Sequence, residues 1–348
     1  MDFPDGGLST PRSRGADRRH IPRRIFRGRV VTAGFPPRLT ATSEQATERR
    51  QLDLFLDGRD AFLVHEVVTS LVVHDRGRAE TCLERLRDEH PFHPDLPALA
   101  LLVAALHSPP ASPITHATMA SDIEALRQSL APTAHRLLGQ ACTIFLQPLW
   151  ETLAVGAASL PFDEAHPRAH RSWLGQQYGD WTAVRAAVEA ESHWEARPLL
   201  RHRAGLARHH LGEPEAAIRL WLPLCWMDPV LFERHAPTFP STILRDGWNA
   251  FEDAVFLDEW VADGAAAAGW FPAWLLLRHR GLVHLFQADE VPAAGIATQA
   301  FRHLLSLLPL ESHGLSDPLV RQRRALQQLC PGFFRYYMEV VGQRPLRA

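Results

Sequence analysis

The sequence predicts an all-α protein made of antiparallel helical hairpins behind a basic amino-terminal arm. Three observations carry that reading. From about Asp60 onward apolar residues recur three and four positions apart, as on one face of a helix. Breaks at Pro91, Pro109-Pro110, Pro161 and Gly179 cut this pattern into segments of hairpin length. No run of alternating apolar and polar residues separates the segments, which argues against an α/β sheet. With 348 residues, 46% hydrophobic and 22% charged, the chain has the balance of an ordinary globular protein and enough length for a sizeable core.

The elements follow in order. Residues 1–50 hold 11 Arg against 5 Asp or Glu, whereas the remainder holds 26 against 34, so the net charge of −2 divides into +6 and −8. Runs such as Pro22-Arg23-Arg24 and Phe35-Pro36-Pro37-Arg38 have no period of 2 or 3.6, and the arm is expected to be disordered. A basic arm of this kind attracts nucleic acid or an acidic partner by Coulomb steering. Residues 51–58 form a junction, and 59–348 a helical repeat domain whose first helix is expected to start near Asp60. Phe62, Leu63, Val67 and Leu71 are expected on one face, followed by Ala79, Leu83 and Leu86 on a second helix that closes at Pro91. Further helices are expected over about 95–107, 119–138, 141–158, 164–178 and 180–191.

A period of 33 residues then becomes visible. Tyr178-Gly179-Asp180, with Ala183 and Val188, recurs as Leu211-Gly212-Glu213, with Ala216 and Trp221. A glycine at a tight turn and a small residue one turn into the next helix let two antiparallel helices approach closely. The stretch from Arg201 to Pro229 resembles a tetratricopeptide repeat through Gly205, Gly212, Ala217, Trp221 and Pro229. Ala79, Leu83, Leu86 and Pro91 fit the second helix of such a unit, although the turn before them lacks its glycine. The match is degenerate at 110–160 and 230–270. The resemblance implies a tetratricopeptide-like α-solenoid rather than a clean array. The block Leu199-Leu200-Arg201-His202-Arg203 recurs as Leu276-Leu277-Arg278-His279-Arg280, but 77 residues is not a multiple of 33, and coincidence in an Arg- and His-rich chain accounts for it.

Much chemistry is excluded. All 37 basic residues are arginine, so a lysine-bearing phosphate loop, a protein-kinase lysine and a pyridoxal Schiff base have no residue to build on. No GxSxG, HExxH or GxGxxG occurs. The cysteines Cys82, Cys142, Cys225 and Cys330 form no CxxC pair and read as buried free thiols of a reducing compartment. No stretch reaches 18 apolar residues and no signal core opens the chain, so no membrane partner and a cytoplasmic location are expected. The ten tryptophans fall at core spacings rather than interleaving with basic residues as a base-stacking platform does. His166 and His170, four apart on an expected helix with Asp163 before them, are the best metal-site candidate and define a rival reading, a metal-dependent hydrolase. Pro167 lies between the two histidines and no further ligand is indicated. The sequence therefore points to a binding protein without catalytic residues, metal or cofactor.

The sharpest signal is Gln51-Leu52-Asp53-Leu54-Phe55 at the junction. By composition such a pattern arises by chance in roughly one protein in a thousand of this length. It resembles the bacterial sliding-clamp-binding pentapeptide at all five positions, and the chain resembles bacterial helical-repeat proteins that carry a similar pentapeptide before the repeats. The resemblance implies a DNA sliding clamp as partner, with Gln51 as polar anchor, Leu52, Leu54 and Phe55 filling an apolar cleft, and nucleic acid reached only indirectly or through the basic arm. Burying large apolar groups offsets the ordering entropy of a short segment. The alternative is that Leu52, Leu54 and Phe55 cap the end of the first hairpin of a generic repeat scaffold, since terminal repeats need a cover.

Overall fold

The computed structural model describes residues 43–106, 114–253, 267–312 and 314–342, with 43–57 described by backbone alone. The chain divides into two compact units, Met1–Phe55 and Leu56–Ala348. Helices and the turns joining them account for the described residues, and no strand occurs among them. None of the described helices is long and apolar enough to cross a membrane.

Helix α1 runs Ser43–Val72, so its backbone is helical well before the expected start near Asp60. Glu44, Gln45, Ala46, Glu48, Arg49, Arg50, Gln51 and Leu52 are strong helix formers, and their summed propensity outweighs the cost of about 1 kcal/mol for the single Gly58. Residues 43–50 of the arm expected to be disordered have a helical backbone, and residues 1–42 lie outside the described residues.

Leu63, Val67 and Leu71 are buried as expected, whereas Phe62 is 57% exposed: it lies one position off the buried stripe and faces solvent. Helix α2, Arg76–Glu89, packs Ala79, Leu83 and Leu86 against that stripe, and Asp75 caps it by accepting from the Arg78 N–H at 3.0 Å. The turn between them has no glycine. His74 takes the left-handed conformation instead, with φ 56°, and its Nε2 lies 3.0 Å from the Phe145 carbonyl. That long-range bond helps offset the roughly 1–2 kcal/mol a non-glycine residue spends there.

Helices α3 (Leu96–Ala105), α4 (His116–Ala125), α5 (Ala131–Leu138) and α6 (Cys142–Gly156) complete the amino-terminal part of the second unit. Leu99, Leu102 and Phe145 join the core of the first hairpin, while Met119, Ile123, Trp150 and Leu153 form a separate core that reaches Leu174. A π-helical turn, Leu126–Leu130, links α4 to α5 just before Pro132, a residue with no N–H for the preceding carbonyls.

The 33-residue register is realised in two successive hairpins. Helix α7, Arg171–Tyr178, turns through Gly179 (φ 79°) into α8, Trp181–Glu189; α9, Pro198–His210, turns near Gly212 (φ 83°) into α10, Pro214–Trp221. Both glycines need the left-handed region. The close approach falls on Val184 and Ala217, both fully buried, while Ala183 and Ala216 are half-buried. On the facing helix, a Cβ on Gly205 would lie 2.3 Å from Trp221 Nε1, and one on Gly175 2.9 Å from Val184 Cγ2.

Beyond α10 come the short helices α11 (Leu224–Met227) and α12 (Pro229–His235), then α13 (Thr242–Glu252), α14 (Phe271–Arg278), α15 (Ile296–Glu311), α16 (Asp317–Leu329) and α17 (Pro331–Gly342). One aromatic-rich core, from Ala217 to Tyr337, serves them all.

Candidate functional site

Gln51, Leu52, Asp53, Leu54 and Phe55 all fall within helix α1 rather than in an irregular junction before it. Their side chains lie outside what is described.

The metal reading fails on geometry. Residues 163–166 are not helical, Pro167–Ala169 forms a single 3-10 turn, and His170 is extended (φ −79°, ψ 139°), so His166 and His170 never share a helix face. Pro161 and Pro167 delay the helix expected from residue 164 until Arg171. His166 Nδ1 pairs with Asp163 Oδ2 at 2.8 Å, and that partner holds the Asp163 carboxyl below its usual range. His170 belongs to another network. No group of three His, Cys, Asp or Glu side chains is placed to hold a metal among the described residues.

That network joins three buried polar side chains, His170, Ser172 and Arg203, and no motif in the sequence announces it. The Ser172 N–H donates to His170 Nδ1 at 3.3 Å, which assigns the ring proton to Nε2, 3.4 Å from Glu191 Oε1. The Ser172 hydroxyl then donates to Nδ1 at 2.7 Å and accepts from Arg203 Nη1 at 3.0 Å. Arg203 Nη2 donates to the Pro167 carbonyl at 2.8 Å. Glu191 also accepts from the Phe162 N–H and pairs with Arg197 at 3.4 Å, while both guanidinium groups lie over the Phe162 ring.

Burial, then the Arg203 charge, pull the His170 pKa down to about 4 against the opposing pull of Glu191. Burial alone takes Arg203 down to about 9. The order serine, histidine, carboxylate is that of a nucleophile relay, but Ser172 is 0% exposed and its oxygen is already engaged by Arg203. Its chemistry is that of a clasp: it ties the irregular 160–170 connection to α7, to α9 and to the turn that follows α8.

The cysteines fit the expectation of free thiols: Cys82, Cys142 and Cys225 are buried and Cys330 partly so. Cys142 Sγ lies 3.1 Å from His135 Nδ1, and complete burial pushes the Cys225 thiol up. The two Leu-Leu-Arg-His-Arg blocks take different partners. In the first, His202 stacks on His235 at 4.1 Å and Arg203 joins the clasp. In the second, Arg278 bonds the Tyr336 hydroxyl at 3.1 Å and lies over the Trp274 ring.

One open feature combines charge with aromatic rings, a cleft of about 370 Å³ formed by α9, α10, α11 and the segment 286–292. Arg201, Arg208 and Arg219 line it together with Trp194, Trp226 and Phe286. Among the described residues Trp150, Trp221, Trp248, Trp270 and Trp274 are buried, as expected of core, and Trp173, Trp181, Trp194 and Trp226 are half-buried. Trp194 and Trp226 pack partly against the core and present their remaining surface to this cleft. The available sequence signal was the seven-residue spacing of Arg201 and Arg208, which puts both on one face of a helix; the contribution of residues 286–292 had none.

Comparison of the chain with protein-family models, curated proteins and solved structures finds no match.

Proposed function

We propose that this chain is a non-enzymatic protein-interaction adaptor whose helical hairpins form a tetratricopeptide-like solenoid, carried to the bacterial DNA sliding clamp by Gln51–Phe55. The repeat part of the reading is supported by the two hairpins in 33-residue register. Gly205 lies against Trp221, Gly212 turns in the left-handed region, Ala217 is fully buried and Pro229 opens the next helix. The free cysteines agree with a reducing, cytoplasmic setting for such an adaptor. The observation that carries the clamp assignment is the complete pentapeptide match.

The second reading, in which the pentapeptide caps the first hairpin, draws on the continuity of helix α1 through residues 51–55. Titration of purified clamp with the intact protein and with the double variant Leu54→Ala, Phe55→Ala, alongside thermal melting of both, separates the two. Clamp docking predicts binding near the micromolar level, about −8 kcal/mol, largely lost in the variant at an unchanged melting point. No binding by the intact protein, with a variant that melts well below it, assigns these side chains to the cap.

A further inference from the structure

The cleft beside α9 holds a cation, Arg201, whose hydrogen-bond acceptors among the described residues are all neutral. Arg201 is half-buried; its Nε donates to the Leu220 carbonyl at 3.0 Å and its Nη1 to the Glu195 carbonyl at 3.1 Å. Both acceptors are neutral. No carboxylate lies within ion-pair distance of it, and Nη2 has no hydrogen-bond partner, among the described residues. Burial lowers its pKa, an effect that Glu195 and Glu290 oppose from farther away. A partly desolvated guanidinium with a free edge is stabilised by an anion that reaches it.

The neighbouring arginines fix how much negative charge the cleft accepts. Arg208 is committed to Glu213 at 2.7 Å and Glu189 at 2.8 Å. Arg219 reaches Glu290 only at 3.4 Å, with both side chains about half exposed, so that pair exchanges readily with solvent or a ligand. Glu290 lines the cleft and Glu189 and Glu213 hold Arg208, so a polyanion such as nucleic acid meets repulsion, whereas a single carboxylate needs only the open edge of Arg201. The walls are aromatic: Trp194, Trp226 and Phe286 are half-buried, and the Trp226 indole is fixed by donating to the Gly269 carbonyl at 2.9 Å. At about 370 Å³ the cleft is at the small end of the range for organic ligands.

We propose that this cleft is a binding site for a small organic anion with one carboxylate on an aromatic body, the carboxylate on Arg201 and the ring against the Trp194, Trp226 and Phe286 walls. The site shares no residue with Gln51–Phe55 and does not depend on the adaptor reading.

Calorimetric titration of the full chain with indole-3-acetate, with neutral indole-3-acetamide and with the blocked dipeptide N-acetyl-tryptophyl-glutamate amide tests it. The acid should bind at least about tenfold more tightly than its amide, and Arg201→Gln should bring the acid down to the level of the amide with an unchanged melting point. Equal affinity for acid and amide, no binding up to about 10 mM, or a folded Arg201→Gln that binds the acid like the natural chain overturns the proposal. Tighter binding of the dipeptide than of the free acid also overturns it, because the site would then belong to a protein partner. Should Arg201→Gln fail to fold, Trp194→Ala is expected to weaken the acid about fivefold, and unchanged affinity there sinks the assignment.

Discussion

The hairpins of residues 171–221 and the helices of residues 229–342 bury their interiors by opposite means. In the first region helix backbones meet over small residues, with Gly205 against the Trp221 indole and Gly175 against Val184. The Trp221 Nε1 in turn donates to the His202 carbonyl at 3.2 Å, so the indole cannot step aside. In the second region rings fill the space: Trp248 packs on Phe232 and on Phe271 at 5.3 Å, and Phe251 on Trp274 at 5.5 Å. Close backbone approach admits one residue size per position, so its spacing repeats in the sequence. A ring-filled core is satisfied by many combinations of large side chains, and no repeat survives in it.

Glycine substitutions separate the two regions by the largest expected difference in stability. Gly205→Ala puts a methyl 2.3 Å from a fixed indole, and overpacking of that kind costs about 1–3 kcal/mol. Gly247→Ala, in α13, meets the Leu275 Cδ1 methyl at 2.9 Å, the far end of a flexible side chain, with the Phe271 ring at 3.7 Å. A loss below about 1 kcal/mol is expected there, partly recovered because alanine favours a helix by about 1 kcal/mol over glycine. Urea unfolding of both variants measures the difference, and equal losses would show that the two regions are equally rigid.

Acid sharpens the contrast, because the two histidines held furthest below their ordinary value of 6.5 lie at α7 and α9. Burial brings His202 to about 3 and, with Arg203, His170 to about 4. His202 Nδ1 has no hydrogen-bond partner among the described residues, so its ring is buried neutral. An unfolded histidine takes its proton near pH 6.5, before the folded one does. Their contribution is therefore complete above about pH 6.5 and is lost as pH falls toward about 4 for His170 and about 3 for His202, at no more than about 1.4 kcal/mol per pH unit each. Urea midpoints at about pH 7 and about pH 5 should differ accordingly, and His202→Leu should reduce the slope. A flat profile would place one or both imidazoles in contact with water.

The same physics explains what was legible. The helical class, the buried faces of α1 and α2 and the 33-residue hairpins all follow from local periodicity and turn glycines. The start of α1 was not legible because residues 43–59 carry helix-forming residues without the apolar period that marks the helix from Asp60 onward. The clasp was invisible, since Ser172 in α7, Glu191 in the turn beyond α8 and Arg203 in α9 meet only through an irregular connection that folds back on them. Likewise the cleft joins Arg201 to Phe286 across 85 residues, beyond the reach of any local pattern. The pentapeptide differs from both, because its five residues are contiguous and are read without the fold.

The most direct test of the adaptor account is amide hydrogen exchange across residues 43–72 with and without saturating sliding clamp. Clamp docking through Gln51–Phe55 should slow exchange over 51–55 and leave the buried stripe around Leu63, Val67 and Leu71, and the α9–α10 hairpin, unchanged. Exchange over 51–55 that clamp does not alter, and that is already as slow as at Leu63–Leu71, would contradict it.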